Sequence, residues 1–411
     1  MKDNLYKISN FKDIDPFLMS ITSADNHWMY ISSSGCLSAG RQKAEHALFP
    51  YVTDDLLHKN AHFTGPITCI SIDIDNKKYS WQPFSNQIDN YKKNQNLYKN
   101  SLGNKIVFEE INHTIGLTFL YSWQASARYG FVKKTKLLNH SGKKLNIKLI
   151  DGLRNILPAG ISLRTQQEMS NLANAYKVSE CNSDDNYALY YMNALLMDKP
   201  DPGESLFSNI VWSHSSDNIE LSVNEKSIST FLSNDEFEKD HLLKGKEGSF
   251  LNYIQKPLPS GHEMTWYIIA DVQKSQSDIS AIISDLKDSE SIEKKLEKSL
   301  ADNYSAFEKN IGMADGFQCT EVGINDLHHT ANVTYNVLRG GVFFDNYMIQ
   351  KNSFVLFLQK RSKKIFKAYQ TDINQLPDSF KIKDLIEFGD KLNQPSIRRL
   401  CREYLPLTLG R

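Results

Sequence analysis

The sequence predicts a mainly β fold, a large antiparallel β-sandwich, with helices at the C-terminal end. Three observations carry that expectation. Apolar and polar residues alternate with period two along most of the first two-thirds of the chain. Polar turn residues separate the alternating runs. Near Gln273 the apolar spacing changes from two to that of a helix.

The strands follow in chain order. Leu117, Phe119, Tyr121 and Trp123 alternate with Thr118, Ser122 and Gln124; Leu145, Ile147 and Leu149 alternate with Asn146 and Lys148; Ile219, Leu221 and Val223 alternate with Glu220 and Ser222. Such runs bury one face, and many of them between polar turns build face-to-face antiparallel sheets. Asn139-His140-Ser141-Gly142 reads as a hairpin loop between Lys133–Leu138 and Leu145–Asp151. One short helix is expected over Thr165–Tyr176, with Thr165 as cap and Glu168 completing a capping box. The last strand covers Trp266–Ala270.

Beyond Gln273, Ile279, Ile282, Ile283 and Leu286 fall at helical spacing. So do Ile292, Leu296, Leu300, Tyr304, Phe307 and Ile311, after a break near Asp288-Ser289. This predicts helix over Ser277–Ile311. Leu327, Ala331, Thr334, Tyr335 and Leu338 share a face of another helix that ends at Gly340-Gly341. Two more helices are expected over Phe354–Tyr369 and Ile382–Leu392. The domain expectation is therefore 1–272 as sandwich, 273–318 as helical linker and 319–411 as the start of a helical domain. That last part is expected to be incomplete, because the end, Tyr404 to Arg411, is apolar. The stripes on Leu327–Leu338 and Phe354–Phe366 then lack part of their packing partner.

Composition excludes several classes. The 411 residues carry 48 basic and 48 acidic side chains, so net charge gives no pull toward nucleic acid or an anionic membrane. The five cysteines, Cys36, Cys69, Cys181, Cys319 and Cys401, are odd in number and widely spaced. That argues against a disulfide framework and for a reducing compartment. With a polar N-terminus and no membrane-length apolar run, the expectation is a cytoplasmic protein. No Walker loop, dinucleotide glycine run or nucleophile elbow appears.

Several stretches resemble the cellobiose phosphorylase family and its larger relatives. They are Ile31–Arg41, with its Ser33-Ser34-Gly35 turn; Trp81-Gln82-Pro83-Phe84, continuing through Asp89 and Tyr91 to Leu102-Gly103-Asn104-Lys105-Ile106; and Lys134–Asn139 with Ile147–Leu153, which is similar to a family hairpin. Asp198–Glu204, Tyr335–Gly341 and Glu403–Thr408 resemble stretches of the larger relatives. The resemblance implies a sandwich (a supersandwich), a helical linker and an α/α barrel carrying a catalytic aspartate that protonates the glycosidic oxygen while inorganic phosphate attacks. No position here matches the motif around that aspartate, so no catalytic residue is assigned. The implied role is the N-terminal sugar-binding and structural part of a glycoside phosphorylase, with only the first helices of an incomplete barrel. The partner would be a disaccharide or oligosaccharide, with phosphate as co-substrate of the full-length enzyme, no other cofactor, and a homodimer compatible with the plan. The alternative is a standalone non-catalytic carbohydrate-binding or assembly module.

The candidate substrate-binding residues are Arg339, Asp345, Asn346 and Trp81. Arg339 ends a helix before two glycines and is followed by Asp345 and Asn346, whose groups suit sugar hydroxyls. The same Arg339 also reads as a simple helix C-cap. Of the five tryptophans, Trp81, beside Pro83 in a turn-rich stretch, is expected to be the accessible one, whereas Trp123 and Trp266 read as core. His58 and His62 are four apart but lack a metalloprotease-type glutamate, so no metal is assigned. His328, Asn332, Tyr335 and Arg339 share a helix face, either a cleft wall or a solvated surface.

Overall fold

The computed structural model describes residues 5–75, 77–85, 90–194, 205–314, 316–338, 348–404 and 406. They divide into two compact units, Met1–Ser305 and Ala306–Arg411. In the first unit, ten strands form one sheet in the order Leu5–Ile8, Lys93–Asn100, Ile106–Asn112, Leu117–Ser126, Gly130–Asn139, Glu263–Lys274, Ser208–Ser215, Tyr187–Met192, Lys177–Asn182 and Leu242–Lys244. A five-stranded sheet runs Glu220–Ser222, Gly248–Leu258, Leu145–Ile156, Gly65–Ile74, Lys77–Trp81. A smaller sheet holds Leu18–Ser20, His27–Ser32, Leu37–Arg41 and Ala47–Phe49. Every ladder between these described strands is antiparallel.

The period-two pattern explains the layers. Phe119, Tyr121 and Trp123 of the large sheet, Ile147, Leu149 and Leu153 of the five-stranded sheet, and Met29 and Ile31 of the small one enter a single core. Residues of opposite parity face outward. Val132, Tyr267 and Ile269 meet Ile282, Ile292, Leu296 and Leu300 of the helices that follow. Ile150 and Leu251 meet Ile228 and Phe231 of helix Lys226–Asn234. The arrangement is a β-sandwich covered by helices on its outer faces.

Lys133 points into this core and meets Asp151 of the opposite sheet at 2.6 Å, both fully buried. Asp151 also accepts from Thr68 Oγ1 at 2.7 Å and from Trp266 Nε1 at 2.7 Å. Burial lowers the Lys133 ammonium, and the Asp151 charge and hydrogen bond oppose that shift.

Several local expectations are corrected. Asn139–Gly142 is not a hairpin turn: Gly130–Asn139 and Leu145–Ile156 lie in different sheets, and the loop is an arch between them. Asn139 holds it, donating from Nδ2 to the carbonyls of Lys143 and Leu258 at 2.8 Å each. The helix expected over Thr165–Tyr176 is two short ones, Leu163–Glu168 and Ser170–Asn174. Its cap is Ser162, which accepts from Thr165 N at 3.0 Å. The helices after the sandwich are Gln276–Leu286, opened by a Ser275/Asp278 capping box, and Ser289–Met313, with the break where it was expected.

The second unit has its own core. Phe354 and Leu358 of helix Lys351–Arg361 pack with Ile373, Leu385, Ile397 and Leu400. Of the stripe expected to lack part of its packing partner, Phe354 and Leu358 are covered inside their own unit, while Phe357, Ile365 and Phe366 are partly buried. Ser362 breaks the helix expected over Phe354–Tyr369 and caps the next, Lys363–Ala368. Helix Pro395–Glu403 and the strand pair Met348–Gln350 with Ser379–Lys381 were not anticipated. On Gly323–Leu338, Thr330 and Thr334 are buried while Ala331 and Tyr335 are exposed, so the helix is rotated from the face expected. Its end at Gly340-Gly341 lies outside the described residues.

Candidate functional site

Stretches that are far apart in sequence meet at one cavity of about 290 Å³ in the first unit. Ser34 and Gly35 come from the turn before Leu37–Arg41, Gln82 to Ser85 from the loop after Lys77–Trp81, and Thr68, Tyr121 and Arg154 from three strands of the sandwich. The size is at the small end of the usual ligand range of roughly 300–1,000 Å³, enough for one sugar ring.

Each wall is fixed by a definite interaction. Glu110 is fully buried and takes three donors: Trp81 Nε1 at 2.7 Å, Phe84 N at 2.6 Å and Gln95 Nε2 at 2.6 Å. That carboxylate pins the Trp81–Ser85 loop and holds Phe84 at a φ of 61°. Phe84 meets the Tyr121 ring edge-on at 5.5 Å, and Phe108 stacks on Tyr121 at 4.8 Å, so the phenol cannot swing. Burial pushes the Tyr121 hydroxyl upward and the Asp151 charge adds to this, which leaves it a neutral donor and acceptor. A Cβ on Gly35, whose φ is 92°, would stand 3.2 Å from that hydroxyl, so glycine keeps the space in front of it clear. Arg154 donates to the carbonyls of His62 and of Ala61, the latter at 3.1 Å, and lies 3.7 Å from Glu225.

The walls thus offer a phenol, a guanidinium, an amide and hydroxyls, with no carboxylate among the described lining residues. Glycosidic cleavage needs an acid and a second carboxylate or a phosphate across the bond.

Of the sequence candidates, Arg339, Asp345 and Asn346 lie outside the described residues. Trp81 lies beside the cavity, yet its expected accessibility is corrected: it is 1% exposed, because its indole faces the core and donates to Glu110. Tyr121 is expected only as part of a strand, and Arg154 is not singled out by the sequence. The signal that could have marked them was the glycine turn and the proline loop, both of which need a partner to close on. His58 and His62 sit on helix Asp54–Lys59 and the turn Asn60–His62, and among the described residues no group of three ligand-type side chains could hold a metal. Among the described residues, no helix is long and apolar enough to cross a membrane.

Two nucleophile-like pairs are structural. Arg41 donates to His27 Nε2 from Nε at 2.9 Å and from Nη2 at 2.7 Å. Arg has no acceptor, so a neutral His27 must carry its proton on Nδ1, which faces Ser23 Oγ at 3.1 Å. It cannot take a proton from that serine. Cys181 Sγ lies 3.4 Å from His241 Nδ1, but burial, with Asp240 and Glu180, pushes the thiol up to about 11.

No curated protein matches the sequence. A bacterial glucoamylase solved with acarbose is similar over 89% of this chain and 52% of its own, at 11% identity and a TM-score of 0.41. A GalM/aldose epimerase homologue from C. elegans covers 64% of this chain and all of its own, at 9% identity and a TM-score of 0.38. A putative kojibiose phosphorylase from the human microbiome covers 70% of this chain and 29% of its own, at 10% identity and a TM-score of 0.29. The chain spans about half of the glucoamylase (52%) and under a third of the phosphorylase (29%). Likeness at this level carries no argument about chemistry. Residues 343–406, in contrast, match the family model described as glycoside hydrolase family 149 insertion domain 1. That match covers 64 of the 411 residues, and it likens this segment to an insertion domain of a glycoside hydrolase family.

Proposed function

We propose that this chain is the N-terminal sugar-binding and structural part of an enzyme resembling cellobiose phosphorylase. Phosphorolysis or hydrolysis of a β-linked glycoside belongs to the full-length protein, with inorganic phosphate as its co-substrate. The observation that carries the reading is the meeting of the Ser34-Gly35 and Gln82-Pro83-Phe84 stretches on the cavity around Tyr121 and Arg154. The sandwich supplies a binding pocket for one ring of a disaccharide or oligosaccharide, and the helices after it serve as linker. The match over 343–406 favours an insertion domain for that segment over the first helices of a barrel. A cytoplasmic location and a homodimer belong to the same proposal.

The test is direct. Methyl β-glucoside titrated calorimetrically into the full chain binds, and Tyr121→Phe, which removes one hydroxyl, weakens binding about tenfold. The same chain incubated with cellobiose, laminaribiose or chitobiose and phosphate releases no sugar 1-phosphate. Equal affinity in the variant, or steady release of the phosphate ester, overturns the proposal.

A further inference from the structure

Four of the five tryptophans, Trp81, Trp123, Trp212 and Trp266, are among the largest fully buried side chains. Trp28 is the exception, half-buried on the small sheet. Its strand, His27–Ser32, sends Met29 and Ile31 into the core and leaves Trp28 and Tyr30 on the outer face. Trp28 pairs across the ladder with Gly40. A Cβ at Gly40 would fall 2.3 Å from Cζ2 of the indole, so the ring lies flat on a strand that is bare at that point. Nε1 donates to the Lys43 carbonyl at 3.2 Å, which fixes the ring's direction. Tyr30 lies at 6.4 Å, tilted by 31°, and Tyr51 stands edge-on at 5.4 Å. The tyrosines are 38% and 44% exposed.

Tyr51 is also the rim of an apolar groove of about 440 Å³. Leu157, Ile161 and Ala173 form its floor and belong to the cluster against which Trp28 packs. Its polar lining is amide-rich, with Asn155, Gln166 and Gln167. Its charges balance: Lys177 and Glu247 face each other at 3.6 Å. A held, flat aromatic surface leading into a neutral, amide-lined groove suits a ligand with apolar faces and hydroxyl edges. It suits poorly a charged peptide or an anionic surface. A pyranose with all substituents equatorial has that form, since its C–H faces stack on rings and its hydroxyls reach amides.

We propose that Trp28, Tyr30 and Tyr51, with the adjoining groove, form a second carbohydrate site, which takes an extended chain of all-equatorial, β-linked sugars. The proposal rests on the sugar-binding reading above, but on different residues and a different ligand form: a chain on a surface, not one ring in a cavity. Because Gly40 and the Lys43 carbonyl set the indole before binding, little ordering is required when the chain docks.

Affinity electrophoresis of the full chain in gels containing laminarin or hydroxyethyl cellulose tests it. Expected is retardation by at least one polymer, abolished by Trp28→Ala and weakened about tenfold by Tyr51→Ala. The cavity is read separately by the methyl β-glucoside calorimetry, which Tyr51→Ala should leave unchanged, so failure of one site is distinguishable from failure of the other. Tyr51 is exposed and outside the core, so its variant remains informative if Trp28→Ala melts early. No retardation by either polymer, or parent-like retardation of Tyr51→Ala, overturns the proposal.

Discussion

Lowering the pH should unfold the first unit through His27, and the size of the effect follows from the geometry. His27 is 9% exposed and held down to about 2, first by burial and then by the charges of Arg41 and Lys274. Arg41 cannot retreat from a protonated ring. It is tied to Asp271 at 3.2 Å, to Asp25 at 3.3 Å and to the Ala127 carbonyl at 2.8 Å. Asp271 is shared with Lys274 at 2.6 Å and is not free to neutralise a new cation. The folded state therefore keeps His27 neutral, while the unfolded chain takes up a proton near the ordinary imidazole value, about 6.5. The unfolded chain binds more protons below that value, so the contribution is complete above about pH 6.5 and falls as pH drops toward about 2. One proton is worth about 1.4 kcal/mol per pH unit, which gives a loss of about 2 kcal/mol between pH 7 and pH 5. Urea unfolding at the two pH values, followed by buried-tryptophan fluorescence, measures it. His27→Gln keeps an acceptor for Arg41 but does not titrate, so it should lose about 2 kcal/mol less than the parent over the same interval. Equal losses in parent and variant would refute a neutral, trapped His27.

Further substitutions test the sandwich. Lys133→Met should cost about 3–5 kcal/mol by leaving Asp151 charged and unpaired in the core, and adding Asp151→Asn should restore much of it, as read from urea midpoints. Gly130→Ala should cost about 3 kcal/mol, because the residue sits at a φ of 90° and the new Cβ would meet the Ala270 carbonyl oxygen at 2.2 Å; Gly142→Ala, at a φ of 75° with open space around it, should cost about 1 kcal/mol in the same assay.

The sandwich was legible because period-two burial is a local signal. Leu117, Phe119, Tyr121 and Trp123 go inward as their alternation requires, and the helices begin where the period changes. What the sequence could not convey was which strands share a sheet. Gly130–Asn139 and Leu145–Ile156 look like two arms of a hairpin, since a polar loop of the right length joins them. An arch between sheets has the same composition, and only the carbonyls that Asn139 reaches, one of them on Leu258, decide between the two. Likewise the helix expected over Phe354–Tyr369 keeps its apolar spacing through Ser362, where the chain bends to bring Ile373 and Leu385 onto the same core.

The candidate site was half legible, for a reason visible in two tryptophans. Trp81 stands next to a proline in a polar stretch, which resembles an exposed turn, yet its strand parity carries it inward to pair with Glu110. Trp28 stands between His27 and Met29 inside a strand, which resembles a core position, yet it falls on the parity that faces out. Parity can be counted from sequence once a neighbouring inward residue is known: Ile31 and Met29 are inward, so Trp28 and Tyr30 are not. Gly40 completes the inference, because a glycine inside a strand marks the close approach of something large, and the cross-strand partner here is the indole. An aromatic residue opposite a strand glycine, on the face away from the core, is thus the pattern that locates such a ring. A proline beside a tryptophan says only that the backbone turns there.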